Sequence, residues 1–465
     1  MKSLESLKQE TKRADYAQRI LWSLRYDQMR ARQDAVAETY ADTYEWIFKS
    51  RNNAGRDEAV QVGFLDWLRS GDGIFWISGK AGSGKSTLMK FLCGHRQTST
   101  VLEEWAGDAK VVIVEHFFWL ADQTSQHTFH GLLRHLLFDV FKQCPDLMPI
   151  VCKEIWDIPK GPDDDTESWT LPALRGTLRR LQSQRLSHAG RGVRLCYFID
   201  GLDECKGEHR ELLDIIRTLA DCPDIKICVY SRPWNTFANA LGREPGKTLT
   251  LQDLTRQDIY TYVEGHLIQD EHFAHMVSQG TSCNEFIVEV TQKAQGVFLW
   301  VYLVVKLLLR GLDNGDSLDD LQRRLRRLPP DLVDYFRQMF DTLDESYEEQ
   351  TAQTFLVCLA AREPLPLLGF AALEPRDVLA QRIRGDGHVK LADVHSLQAQ
   401  LKKKGQRPLS RSDRSECRVS SHRNEQDLLR GVPASDGPWL FTLDRDLATA
   451  TEPSGQQFPP GPRFV

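Results

Sequence analysis

The sequence predicts an α/β fold: a parallel β-sheet with helices on both faces, followed by an all-helical region and a disordered C-terminal tail. Between about residues 73 and 250, short continuous apolar runs alternate with helical patterns, as in a parallel sheet that is buried on both faces. Beyond residue 250 the strand patterns stop and helical patterns continue. From residue 376 onward, Lys and Arg are mixed with Ser, Gly and Pro without periodicity, a composition typical of disorder.

The spacing of the apolar residues predicts the individual elements. The predicted strands are Ile74–Ile77, Val111–Trp119, Leu195–Ile199 and Ile225–Tyr230. The predicted helices are Gly131–Phe141, Glu211–Leu219, Gln257–Leu267, Asn284–Gln295, Val297–Arg310, Ser317–Leu328 and Asp331–Leu343. Thr255 and Asp258 predict a capping box at the start of the first helix after the sheet.

Composition and charge argue against several classes of protein. The 465 residues are enough for about two or three domains. A content of 41% hydrophobic and 27% charged residues is ordinary for a soluble protein. The net charge of −6 argues against general binding of polyanions, so no specific nucleic-acid partner is expected. Ten cysteines without a Cys-x-x-Cys pair favour a reducing compartment.

No segment is expected to direct the chain into a membrane or out of the cell. The first residues are charged and lack the apolar stretch of a secretory signal. The most apolar run, Val297–Val305, has nine residues before Lys306 and is too short to span a bilayer. A cytoplasmic protein without a membrane span is therefore expected.

The segment GKAGSGKS, at 79–86, matches the phosphate-loop pattern in full and lies between a predicted strand and a predicted helix. Its glycines allow successive backbone N–H groups to surround phosphates. Lys85 is expected to reach the β- and γ-phosphates, and the Ser86 hydroxyl to bind Mg²⁺. The predicted ligands are therefore ATP or GTP with Mg²⁺. The candidate nucleotide-binding residues here are Gly79, Lys80, Ala81, Gly82, Ser83, Gly84, Lys85, Ser86 and Thr87.

A second motif is the apolar strand Leu195–Ile199, which ends at Asp200. This is the Walker B arrangement, in which the carboxylate binds Mg²⁺ directly or through water, so Ser86 and Asp200 are the candidate metal residues. Asp203 and Glu204 follow directly, and one of them is expected to polarise the attacking water, with a slight preference for Glu204. Alternatively, the two acids only favour the dipole at a helix N-terminus.

Arg232 lies just beyond the predicted strand Ile225–Tyr230, and Pro233 comes next. An arginine at the carboxyl end of a strand beside the phosphate site can contact a γ-phosphate. From spacing alone, a surface arginine at the end of a strand is an equally good interpretation.

The order of these motifs resembles the fungal NACHT-type NTPases, which are STAND-class ATPases with a nephrocystin-like nucleotide-binding domain. The resemblance covers roughly residues 20–370 and rests on the segments FLDWLRSGDGIFWISGKAGSGKSTLMKFL, HFFWLAD, LLRHLLFDVF, LCYFIDGLDEC, KICVYSRPWNTF, LTLQDLTRQDIYTYV and AQGVFLWVYLVVKLLLRGL. It implies a signalling switch in an intracellular recognition or incompatibility system, which forms homo-oligomers on activation and acts on an unknown protein effector. It also implies that Arg232 is a sensor arginine and that Arg134 lies at a recurrent arginine position of the family.

The composition, the pattern of elements and the resemblance together divide the chain into five predicted segments. They are a helical N-terminal connector (1–48), a NACHT-like P-loop NTPase domain (49–250), a helical lid-like domain (251–345), the start of a truncated winged-helix-like region (346–375) and a disordered tail (376–465). The chain departs from the family at Gly296-Val297-Phe298, the expected counterpart of a Gly-x-Pro motif near the adenine, because the proline is missing.

Three functions remain open from the sequence. The first is a nucleotide-dependent switch with slow hydrolysis, favoured because helices directly follow the nucleotide domain. The second is an ordinary P-loop NTPase or small-molecule kinase, and the third is an inactive truncated remnant. Histidines at 127, 130 and 135 and at 272 and 275 are accompanied by no partner Cys and no convincing set of carboxylates, so they are interpreted as solvated or partly buried side chains and not as metal ligands.

Overall fold

The structure is a computed structural model that describes residues 4–26, 29–41, 43–48, 63–119, 126–156, 169–183, 187–244, 246–278, 283–341, 352 and 354. The chain separates into two compact units, Met1–Pro330 and Asp331–Val465. The sheet and the phosphate loop belong to the first unit. The predicted tail at 376–465 lies outside the described residues, as does the winged-helix-like segment 346–375 apart from residues 352 and 354.

The centre of the first unit is a parallel β-sheet, as predicted. Its strands, with one short antiparallel addition (β3), are β1 Gly73–Ser78, β2 Lys110–Phe117, β3 Ser187–His188, β4 Arg191–Asp200, β5 Ile225–Ser231 and β6 Thr248–Thr250. The parallel strands lie in the order β2-β4-β5-β1-β6, and β3 pairs with β4. β5 therefore lies between β1, which leads into the phosphate loop, and β4, which ends at Asp200.

Helices precede, connect and follow the strands. Those before and among the strands are α1 Leu4–Leu24, α2 Ala31–Ala35, α3 Phe64–Ser70, α4 Lys85–Gly94, α5 Arg96–Ala106, α6 Phe129–Gln143, α7 Met148–Val151, α8 Lys153–Trp156, α9 Leu171–Ser183, α10 His209–Ala220 and α11 Asn235–Leu241. Those after the sheet are α12 Arg256–Ile268, α13 Glu271–Ser278, α14 Cys283–Lys293, α15 Phe298–Asp313, α16 Leu318–Arg327 and, in the second unit, α17 Leu332–Asp341. None of the described helices is long and apolar enough to cross a membrane.

Alternate residues of β1, β2, β4 and β5 enter two hydrophobic cores, one on each face of the sheet. In β4, Tyr197 and Ile199 join the core formed with α6, α9 and α10, whereas Cys196 and Phe198 join the core formed with α3, α4 and α5. Because both faces are buried, the strands have to be apolar throughout. This requirement is the reason why the strands stand out in the sequence.

The N-terminal segment is part of these cores. Ile20 and Leu24 of α1 pack in the first core, and Val36, Ile47 and Phe48 pack in the second. Arg134 of α6 fixes this segment, because it donates hydrogen bonds to the backbone carbonyls of residues 23, 24 and 25. Carbonyls at the end of a helix lack intrahelical partners, so Arg134 caps α1.

The predicted capping box at the start of α12 is wrong. Thr255 is the N-cap residue, but its side chain makes no capping hydrogen bond and instead contacts the carbonyl of Gly296 at 3.5 Å. The Asp258 carboxylate accepts hydrogen bonds from the backbone N–H of Tyr44 and from the indole of Trp46. The Asp258 side chain, which the local pattern assigned to the cap, therefore makes tertiary hydrogen bonds instead.

Two buried histidines face each other between β2 and α6. The Nδ1 atoms of His116 and His135 are 2.9 Å apart, so one ring donates and the other accepts. On the other side of His135 lies Asp139, which is paired with Arg30. Burial lowers the pKa of His135 to about 3 and also places the pKa of His116 well below its usual range.

This pair is expected to destabilise the fold in acid. Because the histidine pKa values are lower in the folded state than in the unfolded state, the stability is fully present above about pH 6.5 and falls as the pH drops below that value. We expect His135→Gln to reduce the slope of unfolding free energy between pH 6 and pH 5 by about 1 kcal/mol per pH unit. Urea unfolding at several pH values measures this slope. The exposed His272→Gln is the matched control, and an unchanged slope in His135→Gln would contradict the interpretation.

Candidate nucleotide-binding site

The phosphate loop connects β1 to α4 in the conformation that the sequence predicts. Gly82 and Gly84 have φ of +71° and +87°, in the left-handed region that side chains with a Cβ seldom adopt. A Cβ at Gly84 would also lie 2.3 Å from the hydroxyl of Tyr44. Gly84 is the N-cap of α4 and provides no side-chain cap, which leaves the first backbone N–H groups of this helix suited to an anion.

Lys85, the first residue of α4, lies across the loop. Its Nζ donates to the carbonyl of Lys80 at 2.8 Å and lies 5.1 Å from the centre of the Tyr230 ring. Tyr230, on β5, donates its hydroxyl proton to the carbonyl of Gly79 at 2.8 Å. The lysine charge is therefore held at the loop by backbone and aromatic contacts, in a position where bound phosphates would replace the carbonyl as its partner.

Ser86 and Asp200 meet beneath the loop. The Ser86 hydroxyl donates to Asp200 Oδ2 at 2.6 Å, and the carboxylate is almost fully buried at the end of β4. Its second oxygen, Oδ1, is buried without a hydrogen-bond partner among the described residues. Burial raises the pKa of Asp200 to about 6.

A divalent cation fits this arrangement. Mg²⁺ prefers oxygen ligands, binds one or two protein groups and takes its other ligands from water and phosphates. A buried carboxylate oxygen that lacks a partner, beside a hydroxyl at the phosphate loop, matches these requirements. Among the described residues, no three His, Cys, Asp or Glu side chains form a cluster that could hold a metal by themselves. The chemistry therefore fits a metal shared with a phosphate ligand.

Arg232 follows β5 and is tied to Asp203. The backbone N–H of Arg232 donates to Asp203 Oδ1 at 2.9 Å, and its Nε lies 3.1 Å from Oδ2. Both side chains are nearly buried, with 11% of Arg232 and 5% of Asp203 exposed. The interpretation of Arg232 as a surface arginine at the end of a strand does not fit this buried environment.

Glu204 occupies a different position from Asp203. Both lie in the short 3-10 turn Leu202–Glu204 that follows Gly201, but the Glu204 carboxyl carbon lies beside Gly201, within 3.5 Å of where a Cβ of that glycine would be. Gly201 directly follows Asp200, and Glu204 is partly exposed. Glu204 therefore lies next to the residue that follows the strand-end carboxylate.

The helical region beyond the sheet also contacts the phosphate loop, and motif analysis missed these contacts. The backbone N–H of Leu299, at the start of α15, donates to the carbonyl of Gly82 at 2.9 Å. The Gln252 side chain accepts from the N–H of Lys80 at 3.2 Å. Gly296, the predicted counterpart of the Gly-x-Pro position, has φ of +78° and packs on the backbone of Gln252.

The segment before the predicted NTPase domain reaches the loop as well. Tyr44 donates its hydroxyl proton to the carbonyl of Gly84 at 3.2 Å, and its ring lies beside Phe298. Its backbone N–H and the Trp46 indole donate to the Asp258 carboxylate of α12, at 3.2 and 2.6 Å. The density of aromatic residues in this segment is a sequence signal that it is buried, but it does not reveal which residues they contact.

Comparison with known proteins agrees with the motif assignment. The sequence model of the family described as nephrocystin 3, N-terminal, matches residues 42–232. The match includes the phosphate loop, Asp200 and Arg232. Among curated protein sequences, no match to this chain is found.

Solved structures provide distant similarities. A Walker-type ATPase of Pyrococcus abyssi is 13% identical, with a TM-score of 0.30, and the match covers 77% of this chain and 93% of the other. The Drosophila ORC bound to DNA is 12% identical, with a TM-score of 0.34, and the match covers 91% of this chain and 98% of the other. Aeropyrum pernix ORC1 in complex with DNA is also 12% identical, with a TM-score of 0.26, and the match covers 81% of this chain and 86% of the other. Because these superpositions are poor, the fold assignment depends on the chain's own strand order and loop.

The sheet order, the complete phosphate loop and the family match together identify the domain around β1, β4 and β5 as a nucleotide-binding P-loop NTPase domain.

Lys85→Ala is expected to weaken nucleotide binding by about 10- to 100-fold, because a charge-assisted contact to phosphate is worth about 1.5–3 kcal/mol. Isothermal titration with ATP and GTP measures the loss and also establishes which base is preferred. The exposed Lys142→Ala is the matched control. Equal affinities for Lys85→Ala and the unmodified protein would refute the site.

Asp200→Asn is expected to remove the dependence of nucleotide binding on Mg²⁺, because the amide keeps a hydrogen bond to Ser86 but offers the metal no charge. Titrations with Mg²⁺ and with EDTA should differ by about tenfold or more in the unmodified protein. They should agree within twofold in the variant. A variant that keeps the full Mg²⁺ effect would exclude Asp200 as a metal residue.

Proposed function

We propose that the protein is a STAND/NACHT-type switch that binds ATP or GTP with Mg²⁺ and changes the position of its helical region with nucleotide state. The observation that carries the proposal is the hydrogen bond from Leu299 of α15 to the carbonyl of Gly82. A residue of the helical region thereby contacts the backbone that would surround the phosphates. A change in the loop on nucleotide exchange would act directly on the start of α15.

The proposal gives each residue of the site a role. Backbone N–H groups of the loop bind the phosphates, and Lys85 neutralises the β- and γ-phosphates. Ser86 and Asp200 hold Mg²⁺, which supplies charge neutralisation at the phosphates when it is bound. Arg232, at the end of β5, contacts the γ-phosphate. Glu204, the partly exposed acid, orients and polarises the attacking water.

The helical region is connected to the site at three places, which supports a switch. Gln252 and Leu299 contact the loop directly, and Asp258 holds the segment that carries Tyr44. A ligand shifts a conformational equilibrium only by the difference between its affinities for the two states. A γ-phosphate bound by Arg232 is a difference of this kind, since the diphosphate lacks it.

We extend the proposal to cellular role on the resemblance in sequence. A switch of this family would form homo-oligomers on activation and act on a protein effector in an intracellular recognition or incompatibility system. Hydrolysis would be slow, because it resets the switch. An ordinary P-loop NTPase or a small-molecule kinase would turn over rapidly, and an inactive remnant would not bind nucleotide.

We expect the two nucleotide states to protect different parts of the chain. Hydrogen exchange should differ at residues 296–300 between ADP with Mg²⁺ and a non-hydrolysable triphosphate with Mg²⁺, because these residues contact Gly82. Lys85→Ala should remove the difference, and Lys142→Ala should retain it. Identical exchange in both states, together with turnover faster than about 1 s⁻¹, a rate typical of enzymes, would favour the ordinary enzyme.

A further inference from the structure

Of the acid pair at the end of β4, Asp203 is held by an arginine. Asp203 places Oδ1 on the backbone N–H of Arg232 and Oδ2 near Nε of the same residue, at 2.9 and 3.1 Å. Only 5% of its side chain is exposed. A carboxylate neutralised by an arginine and shielded from solvent is a poor acceptor for a proton from water.

The contact also joins two neighbouring strands. Asp203 lies three residues beyond the end of β4, and Arg232 is the first residue beyond β5. β4 and β5 are paired directly in parallel register. One carboxylate therefore fixes both the main chain and the side chain of Arg232 relative to the strand that carries Asp200.

Other hydrogen bonds hold the main chain around Arg232. Its carbonyl accepts from the backbone N–H of Trp234 at 2.8 Å and from the Ser231 hydroxyl at 3.1 Å. The Ser231 hydroxyl in turn accepts from the indole of Trp76, on β1. With the backbone fixed in this way, the Asp203 contact at Nε restrains the side chain.

We propose that Asp203 is a positioning residue that holds Arg232 ready for the γ-phosphate and does not act on the attacking water. This inference rests on the proposed function, because it specifies how the site distinguishes triphosphate from diphosphate. The Asp203 contact is made at Nε, so it does not involve the terminal nitrogens of the guanidinium, which carry four of its five N–H donors. Fixing the side chain in advance removes part of the entropy cost of binding, and that gain applies only when a γ-phosphate is present.

The test compares the dissociation constants of a non-hydrolysable triphosphate and of ADP, both with Mg²⁺, for Asp203→Asn, Arg232→Ala and the double variant. Asn can accept one of the two hydrogen bonds and carries no charge. We expect Asp203→Asn to weaken triphosphate binding by about tenfold and to change ADP binding by less than twofold. Since Asp203 acts through Arg232, the double variant should bind triphosphate no more weakly than Arg232→Ala. Asp214→Asn, on the exposed side of α10, is the matched control.

Two results would overturn the inference. The first is full triphosphate affinity with lost hydrolysis in Asp203→Asn, the behaviour of an acid that polarises water. The second is an additive loss in the double variant, which would mean that Asp203 acts independently of Arg232. Weaker binding of both nucleotides in Lys85→Ala would show that the phosphate site lies where the proposed function places it. Unchanged binding in Lys85→Ala would instead remove the proposed function and the inference with it.

Removal of one partner of a buried ion pair can prevent folding, so Asp203→Glu serves as a second variant. It keeps the charge but displaces the carboxylate by one methylene. Its thermal unfolding should stay close to that of the unmodified protein, while its preference for triphosphate over ADP should fall by about threefold or more. A full preference in this variant, with a normal fold, would show that the position of the carboxylate does not matter and would refute the inference.

Discussion

The pairing of β5 with both β1 and β4 determines where every candidate site residue lies. Parallel strands end at the same edge of a sheet, and neighbours are about 4.8 Å apart. With one strand between them, the ends of β1 and β4 are separated by about 10 Å. This distance leaves room for phosphates between the glycine loop and Asp200, and Arg232 directly follows the strand that lies between them. The contact of Ser86 with Asp200 crosses the same space from α4.

The parts of the site that could be predicted are those whose partners are adjacent in the chain. The loop at 79–86 is recognisable because its function depends on consecutive backbone groups and on the next helix. Asp200 is recognisable because a buried apolar strand rarely ends in a carboxylate without a reason. The sheet could be predicted equally well, since strands that are buried on both faces must be apolar along their whole length.

Contacts between distant segments could not be predicted in the same way. Asp258 and Tyr44 are 214 residues apart, and the local sequence around Asp258 satisfies the pattern of a helix cap. Tertiary hydrogen bonds to two donors outweighed a cap that is worth about 1 kcal/mol. Asp203 and Glu204 are equivalent acids in the sequence, and the ion pair of Asp203 with Arg232 depends on the pairing of β4 with β5, which the local sequence does not reveal. The predicted tail at 376–465 lies outside the described residues.

The Asp258 contacts have a consequence for how the chain can be divided. A fragment that began at residue 49 would keep α12 with its buried carboxylate but would lose both donors, Tyr44 and Trp46. It would also uncover apolar surface on Phe64 and Phe91, which Phe48 covers. A buried charge that loses two hydrogen bonds and a newly exposed aromatic surface both favour aggregation. The smallest stable fragment with the nucleotide site should therefore start well before the phosphate loop, with residues 43–48 inside it.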